Sequence, residues 1–283
     1  YTNSFYARQD RHLAASGYAV VQSTSPVLAR QSFWTVVQTC EAVGLKTAPY
    51  HPDLPSFGEW RFVLAASLMF LGSLVGIGLL VYLFPELVYS VLGADEISQI
   101  RSMYDPASGH LGRSVERAAS EDWVMFGYYI MHNIGIAFQT FASGLMFGLG
   151  SAFFLFFNGL TIGAVAGHLT QIGSGGTFWS FVIGHGAFEL TAIALAGAAG
   201  LQLGWALIAP GRLTRGEALR LAAGKSVLMI GGVMLFLLIA AFIEAYWSSS
   251  AVTPATKYTV GALLWLLVIS YLSLAGRVRH APE

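Results

Sequence analysis

Residues 177–209 read TFWSFVIGHGAFELTAIALAGAAGLQLGWALIA, and Glu189 is their only formal charge. As a helix rising 1.5 Å per residue, this stretch is long enough to cross the roughly 30 Å of hydrocarbon in a bilayer with tilt to spare. It belongs to a longer charge-poor tract, because Glu189 is still the only formal charge from residue 123 to residue 211. Two further tracts repeat the pattern: residues 226–256 contain only Glu244, and residues 62–92 only Glu86. Helices buried in a large soluble core would keep a polar face on most of their number, and these keep none. The sequence therefore predicts an all-α polytopic membrane protein.

Composition agrees with that reading. Of 283 residues, 55% are hydrophobic and 11% charged, against about 25% charged in an average soluble domain. Fifteen Lys and Arg balance fifteen Asp and Glu, so no global field gathers polyanions, and nucleic acid is excluded as a partner. Membrane lipid is the expected surrounding. Cys40 is the only cysteine, which rules out an internal disulfide and a cysteine-based metal cage.

Six spans are expected, over residues 62–84, 123–147, 151–172, 177–209, 226–247 and 258–275. Pro85 and Glu86 stop the first, and Pro210 and Gly211 stop the fourth. The second and third form a hairpin around the turn at 144–150, and Gly173-Ser174-Gly175-Gly176 breaks the chain before the fourth. A polar stretch at 85–122 carries three basic and seven acidic residues, with short helices expected over 94–103 and 113–120. Arg212, Arg215, Arg220 and Lys225 crowd the connection between spans four and five, and Arg277 and Arg279 follow the last span. The positive-inside rule makes that side cytoplasmic, so both ends lie inside and the loop at about 85–122 lies outside. The expected location is the bacterial inner membrane.

Gly159, Gly163 and Gly167 recur every four residues and so line one helix face, where a neighbouring backbone can approach closely. Packing is the reading adopted for them.

An ionised carboxylate at bilayer depth costs at least ~2.5–3.5 kcal/mol, which calls for a partner or a purpose. Glu189 sits about twelve residues, or ~18 Å, inside its span. His185, four residues earlier, shares its helical face. His132, Asn133 and Asn158 fall at comparable depth, and Glu244 lies nearer the outer end of the fifth span. An intramembrane polar cluster of His132, Asn133, Asn158, His185, Glu189 and Glu244 is expected. It has three readings: a hydrogen-bonded network fixing helix register, a route for ions or protons, and a metal site using His132, His185 and Glu189. HxxxE lacks the HExxH arrangement of a helical zinc protease, and no cofactor is expected.

The words Ser102-Met103-Tyr104-Asp105-Pro106, His132-Asn133-Ile134-Gly135-Ile136-Ala137-Phe138, Phe157-Asn158-Gly159-Leu160 and His185-Gly186-Ala187-Phe188-Glu189-Leu190, leading into Ala196-Gly197-Ala198-Ala199-Gly200-Leu201, resemble the stage II sporulation protein M family over 61–283. One departure is His132-Asn133, where the family pattern has a pair of asparagines. The resemblance implies an integral membrane protein with no settled catalytic activity, acting as a scaffold or transport-like component beside protein partners in a membrane complex. The sporulation member works with peptidoglycan-degrading partners during engulfment, while many relatives occur in bacteria that do not sporulate. Self-association is among the arrangements left open.

The first sixty residues differ in kind. Residues 18–23 alternate like a strand, 27–43 read as an amphipathic helix, and 44–50 as a second strand after a glycine cap, a small and incomplete α/β segment on the cytoplasmic side. Tyr1-Thr2-Asn3-Ser4-Phe5-Tyr6, Val20-Val21-Gln22-Ser23-Thr24-Ser25-Pro26, Phe33-Trp34 and Pro55-Ser56-Phe57-Gly58-Glu59-Trp60 resemble the C-terminal end of spermidine-synthase-like aminopropyltransferases over about residues 1–65. The resemblance makes Gln22 a polyamine contact and puts Tyr1 and Ser4 just after the catalytic Asp. The glycine-rich cofactor turn and the Asp itself would precede Tyr1, so catalysis by these residues alone is not expected. Residues 1–30 lack the apolar core of a signal peptide, and an opening Tyr is expected of a fragment or a processed chain. Residues 60–65 would be a strand in the enzyme, yet here they run into an apolar span. A gene fusion, a piece of a longer enzyme and an assembly artefact are the origins this seam leaves open. The rival functional reading is a membrane-tethered polyamine aminopropyltransferase.

Overall fold

The computed structural model of the chain describes residues 30–46, 60–107 and 119–274. The chain divides into two units, Tyr1–Leu54 and Pro55–Glu283. In the first, helix α1 (Arg30–Ala42) lies inside the expected 27–43 helix. It ends on Gly44, whose φ of 90° is the left-handed conformation that glycine adopts without penalty. The Gly44 and Leu45 amides donate to the Glu41 and Cys40 carbonyls. Burial, and then the neighbouring Glu41 charge, push the Cys40 thiol above its ordinary range. The strand expected at 18–23 lies outside the described residues, as does most of the one at 44–50. Residues 44–46 are not in a strand.

The second unit is built of helices, with no strand among its described residues. Helix α2 (Trp60–Leu83) is followed by a 3-10 turn at Pro85–Ser90 and by α3 (Ala94–Met103). Then come α4 (Ala119–Ala142), α5 (Leu149–Gln171) and α6 (Gly175–Ile208). Helix α7 (Arg215–Phe242) passes directly into a π-helical segment, Ile243–Ser248, and α8 (Pro254–Leu274) closes the unit. The short helix expected over 113–120 falls largely outside the described residues, and its last two residues belong to α4.

Among the described residues five helices are long and apolar enough to cross a membrane: α2, α5, α6, α7 with its π-helical extension, and α8. Helix α4, the second of the six expected spans, has 24 residues. His132, Asn133 and Gln139 in its middle leave it less apolar than the other five. Helix α7 begins eleven residues earlier than the expected span, at Arg215 instead of 226. The reason is local. The Glu217 amide donates to Thr214 Oγ1 (3.3 Å) while Glu217 Oε2 accepts from the Thr214 amide (3.0 Å), a capping box that starts the helix within the basic stretch.

Helix α6 is the axis of the bundle, and α2, α4, α5, α7 and α8 all pack against it. Two thirds (67%) of its most apolar window is buried, against 11% for α2. The core joins Ala66 and Phe70 of α2, Ala137 of α4 and Leu155 of α5 to the alanine-rich middle of α6 and to Met229, Val233 and Leu237 of α7. Outward, Leu64, Leu68, Val75 and Leu79 of α2 are exposed, as are Val227, Leu228 and Leu235 of α7 and Leu263, Leu266 and Leu267 of α8. A surface so apolar is stable against acyl chains and not against water.

The glycine stripe on α5 packs as its period requires. A Cβ added at Gly159, Gly163 or Gly167 would strike the backbone carbonyl of Phe70, Leu74 or Gly78 in α2. With no side chains between them, the two backbones are in direct contact.

Candidate functional site

The polar groups gather where the N-terminal half of α6, the π-helical segment and the start of α8 meet. Helical period puts Phe181, His185 and Glu189 of α6 on one face. The π-helical segment supplies Glu244 and Ser248, four residues apart. One ligand-capable atom from each of His185, Glu189 and Glu244 lies within 4.8 Å of the other two. His185 is 5% exposed, and its Nε2 stands 4.0 Å from Glu189 Oε2, too far for a hydrogen bond and close enough for strong electrostatic coupling. Its other ring nitrogen, Nδ1, is 3.0 Å from Ser248 Oγ.

Behind Ser248 stands a buried cation. Lys257, on the first turn of α8, has no exposed surface, and its ammonium donates to the Ser248 carbonyl at 2.6 Å and the Ser250 carbonyl at 2.8 Å. Those carbonyls end the preceding helix, where the backbone dipole favours positive charge. A polar line thus runs from Glu189 through His185 and Ser248 to Lys257.

Tyr104, which follows α3, packs beside the site. Thr177 Oγ1 donates to the Tyr104 carbonyl at 2.6 Å, holding Tyr104 against α6. Its ring meets Phe178 and Phe181 edge-on, at 5.3 and 5.8 Å between centroids, and Phe181 in turn meets the His185 ring at 5.3 Å. Burial pushes the Tyr104 phenol above its ordinary range, and Glu244, Tyr129 and Glu189 act in the same direction. A second tie between loop and bundle lies close by, where Arg101 Nε of α3 donates to Nε2 of buried His168 at 3.0 Å.

Of the six residues expected to cluster, the structure brings together His185, Glu189 and Glu244. His132 is exposed on α4 and stacks on Tyr128, with centroids 5.7 Å apart and planes 10° from parallel, and it is not in the three-ligand group. Asn133, its neighbour, is buried, and its amide nitrogen has no partner among the described residues. Asn158 is half-buried and donates to the Phe154 carbonyl of its own helix at 2.7 Å. Gln22, Tyr1 and Ser4, the expected polyamine contacts, lie outside the described residues. Sequence reasoning missed Ser248, Tyr104 and Lys257 as parts of this site. Tyr104 was within reach of it, since Ser102-Met103-Tyr104-Asp105-Pro106 stood out as a motif. Nothing in the serine run at 248–250 pointed to His185.

Comparison with known proteins supplies two unrelated likenesses. The family model described as stage II sporulation protein M matches residues 63–249, from the first turn of α2 to just past the π-helical segment, and so includes every member of the three-ligand group. Over the N-terminal 66 or so residues the chain is similar to polyamine aminopropyltransferases. It is 48% identical over 66 residues to polyamine aminopropyltransferase 2 of Ralstonia nicotianae, 23% of this chain and 13% of that protein. The polyamine aminopropyltransferase of Oceanobacillus iheyensis is 46% identical over 66 residues with the same coverage. That of Mycobacterium tuberculosis is 42% identical over 65 residues, 23% of this chain and 12% of the relative. This chain thus spans about an eighth of the length of these relatives. No solved structure matches the chain.

Proposed function

This chain belongs to the stage II sporulation protein M family, and from that premise we propose that it is a non-catalytic scaffold within a complex of the bacterial inner membrane. The observation that carries this reading is the bundle's axial helix, α6, enclosed by five others and flanked by a seam in which the backbones of α5 and α2 touch. Such packing holds one geometry, because sliding or tilting either helix drives carbonyls into neighbouring Cα atoms. A transport-like role is the other member of this reading, favoured by the acid at bilayer depth. The segments before α2 and after α8 lie in the cytoplasm, in keeping with Arg212, Arg215, Arg220 and Lys225 between α6 and α7. The loop at 85–122 faces outward, where the exposed Asp95 and Glu96 of α3 offer a partner an acidic surface.

The test uses the tagged full chain in bacterial membranes, solubilised in mild detergent and resolved by native electrophoresis with mass spectrometry. A complex of defined stoichiometry is expected, reduced by Asp95→Lys with Glu96→Lys at unchanged expression. A chain that remains alone, but supports a flux in proteoliposomes that Glu189→Gln abolishes, would replace the scaffold with the transporter. Reporter fusions after residue 274 and within 108–118 check the orientation.

A second reading has its own observation, the 48% identity to an aminopropyltransferase over 66 residues. In it, the membrane unit tethers a polyamine synthase whose end is residues 1–65. A glycine-rich nucleotide turn and an Asp encoded just upstream of Tyr1 are its signature. Aminopropyl transfer from decarboxylated S-adenosylmethionine by the product of the intact reading frame is its assay.

A further inference from the structure

We propose that His185, Glu189 and Glu244 form a binding site for one divalent transition-metal ion of the zinc type, joining α6 to the π-helical end of α7. The donors are one imidazole nitrogen and two carboxylates within 4.8 Å of one another. Tetrahedral zinc, with ligands at about 2.0–2.2 Å, brings its donors to roughly 3.4 Å apart. Closing the group around an ion therefore needs the carboxylates to swing inward by about an ångström, a movement their side-chain torsions supply.

Charge points to the same occupant. Two ionised carboxylates in a low-dielectric bundle repel each other and are costly to desolvate, and a dication bound between them neutralises both, while the Lys257 ammonium is held by the Ser248 and Ser250 carbonyls. The nitrogen donor and the small number of ligands select against Ca²⁺ and Mg²⁺, which take six or more oxygens. No cysteine thiolate belongs to the group, which selects against Cu⁺.

Two features outside the ligand set are of the kind that metal sites carry. Ser248 Oγ lies 3.0 Å from His185 Nδ1, and in the tautomer with its proton on Nδ1 the hydroxyl accepts that proton and the Nε2 lone pair is free to ligate an ion. A metal-bound histidine is ordinarily fixed by such a bond on its far nitrogen. The backbone carrying Glu244 is π-helical over Ile243–Ser248. This wide, rare turn occurs mostly as a single-turn insertion at functional sites, where it redirects side chains that an α-helix would aim elsewhere. Three protein ligands leave a fourth position open, and Phe181, which meets both the His185 ring and the Tyr104 ring edge-on, lies against the group. His132, placed in this group by sequence depth alone, has no part in it.

The experiment uses the full chain purified in detergent, stripped with chelator and titrated with Zn²⁺ or Co²⁺. Expected are about one zinc per chain by elemental analysis, and visible Co²⁺ bands of the intensity that marks low coordination number. His185→Asn and Glu244→Gln should weaken binding at least 100-fold, Ser248→Ala about 10-fold, and His132→Asn not at all. Binding well below one equivalent by the unaltered chain overturns the proposal, as does binding that survives Glu244→Gln or is lost with His132→Asn. If the Glu244 variant fails to fold, the stoichiometry and Co²⁺ spectrum of the unaltered chain, with the Ser248 variant, decide the matter. None of these readouts depends on a partner, so they stand or fall apart from the scaffold reading.

Discussion

Two seams of the same bundle solve opposite problems. Between α2 and α5 the contact is backbone on backbone, with glycines at 159, 163 and 167 against the carbonyls of Phe70, Leu74 and Gly78. Between α6, the π-helical segment and α8 the contact is made by side chains that are costly to put there: an imidazole, two carboxylates, a serine hydroxyl and an ammonium. The first seam gains its energy from dispersion at close range and tolerates no added atom. The second gains from directional bonds and tolerates no lost atom. Additions should therefore break one seam and deletions the other, which makes the contrast testable.

The largest effect is expected from Gly167→Leu, whose new side chain has only the Gly78 backbone to displace. A cost of at least ~3 kcal/mol follows from overpacking that no rotamer relieves, seen as loss of monodisperse protein in detergent and a lower unfolding midpoint. Gly76→Leu, on the same seam helix but with nothing within 4 Å, should change the midpoint by no more than ~0.5 kcal/mol. Equal damage from both would show that helix propensity, and not contact with α2, sets the requirement for glycine.

Next comes Lys257→Met, which keeps the volume and removes the charge. The Ser248 and Ser250 carbonyls then lose a charged donor inside the bundle, at a cost of about 2–3 kcal/mol. Ser248→Ala follows at about 1 kcal/mol, the scale of one neutral hydrogen bond. Because both changes act on residue 248, the double variant should fall short of the sum in a double-mutant cycle on the same unfolding measurement. Strict additivity would show that the line from Lys257 to His185 is two separate contacts.

What could be read from the sequence divides along the same seams. The four-residue glycine period on α5 projects directly onto one face, so its packing role needed no coordinates. Glu189 and His185 were legible too, since a charge in an apolar tract is conspicuous and a spacing of four fixes their common face. Glu244 was visible as an acid, but its meeting with Glu189 is a contact between two helices that spacing along the chain does not give, and no residue pattern announces the π-helical turn over Ile243–Ser248 that carries Ser248 to His185. His132 shows the converse failure. Depth along a span says nothing of rotation about its axis, and one residue, about 100° of turn, separates exposed His132 from buried Asn133. The sequence puts its change in polarity at residues 60–61, whereas the chain divides at 54–55, and the α/β cadence expected ahead of it lies mostly outside the described residues.

The smallest effect is expected at Asn158, and it is the sharpest check on how far the polar seam extends. Sequence depth groups this amide with Glu189, yet its nitrogen donates to the Phe154 carbonyl one turn back. That carbonyl already accepts an amide within α5, so the side chain satisfies itself without linking two helices. Asn158→Leu should therefore shift the unfolding midpoint by less than ~0.5 kcal/mol and leave metal titration unchanged. The gain from burying a leucine and the loss of a local bond are both small at a half-exposed position. A cost near that of Ser248→Ala would instead make Asn158 a working member of the network, and would carry the polar seam across α5 into the glycine seam from which it is here held apart.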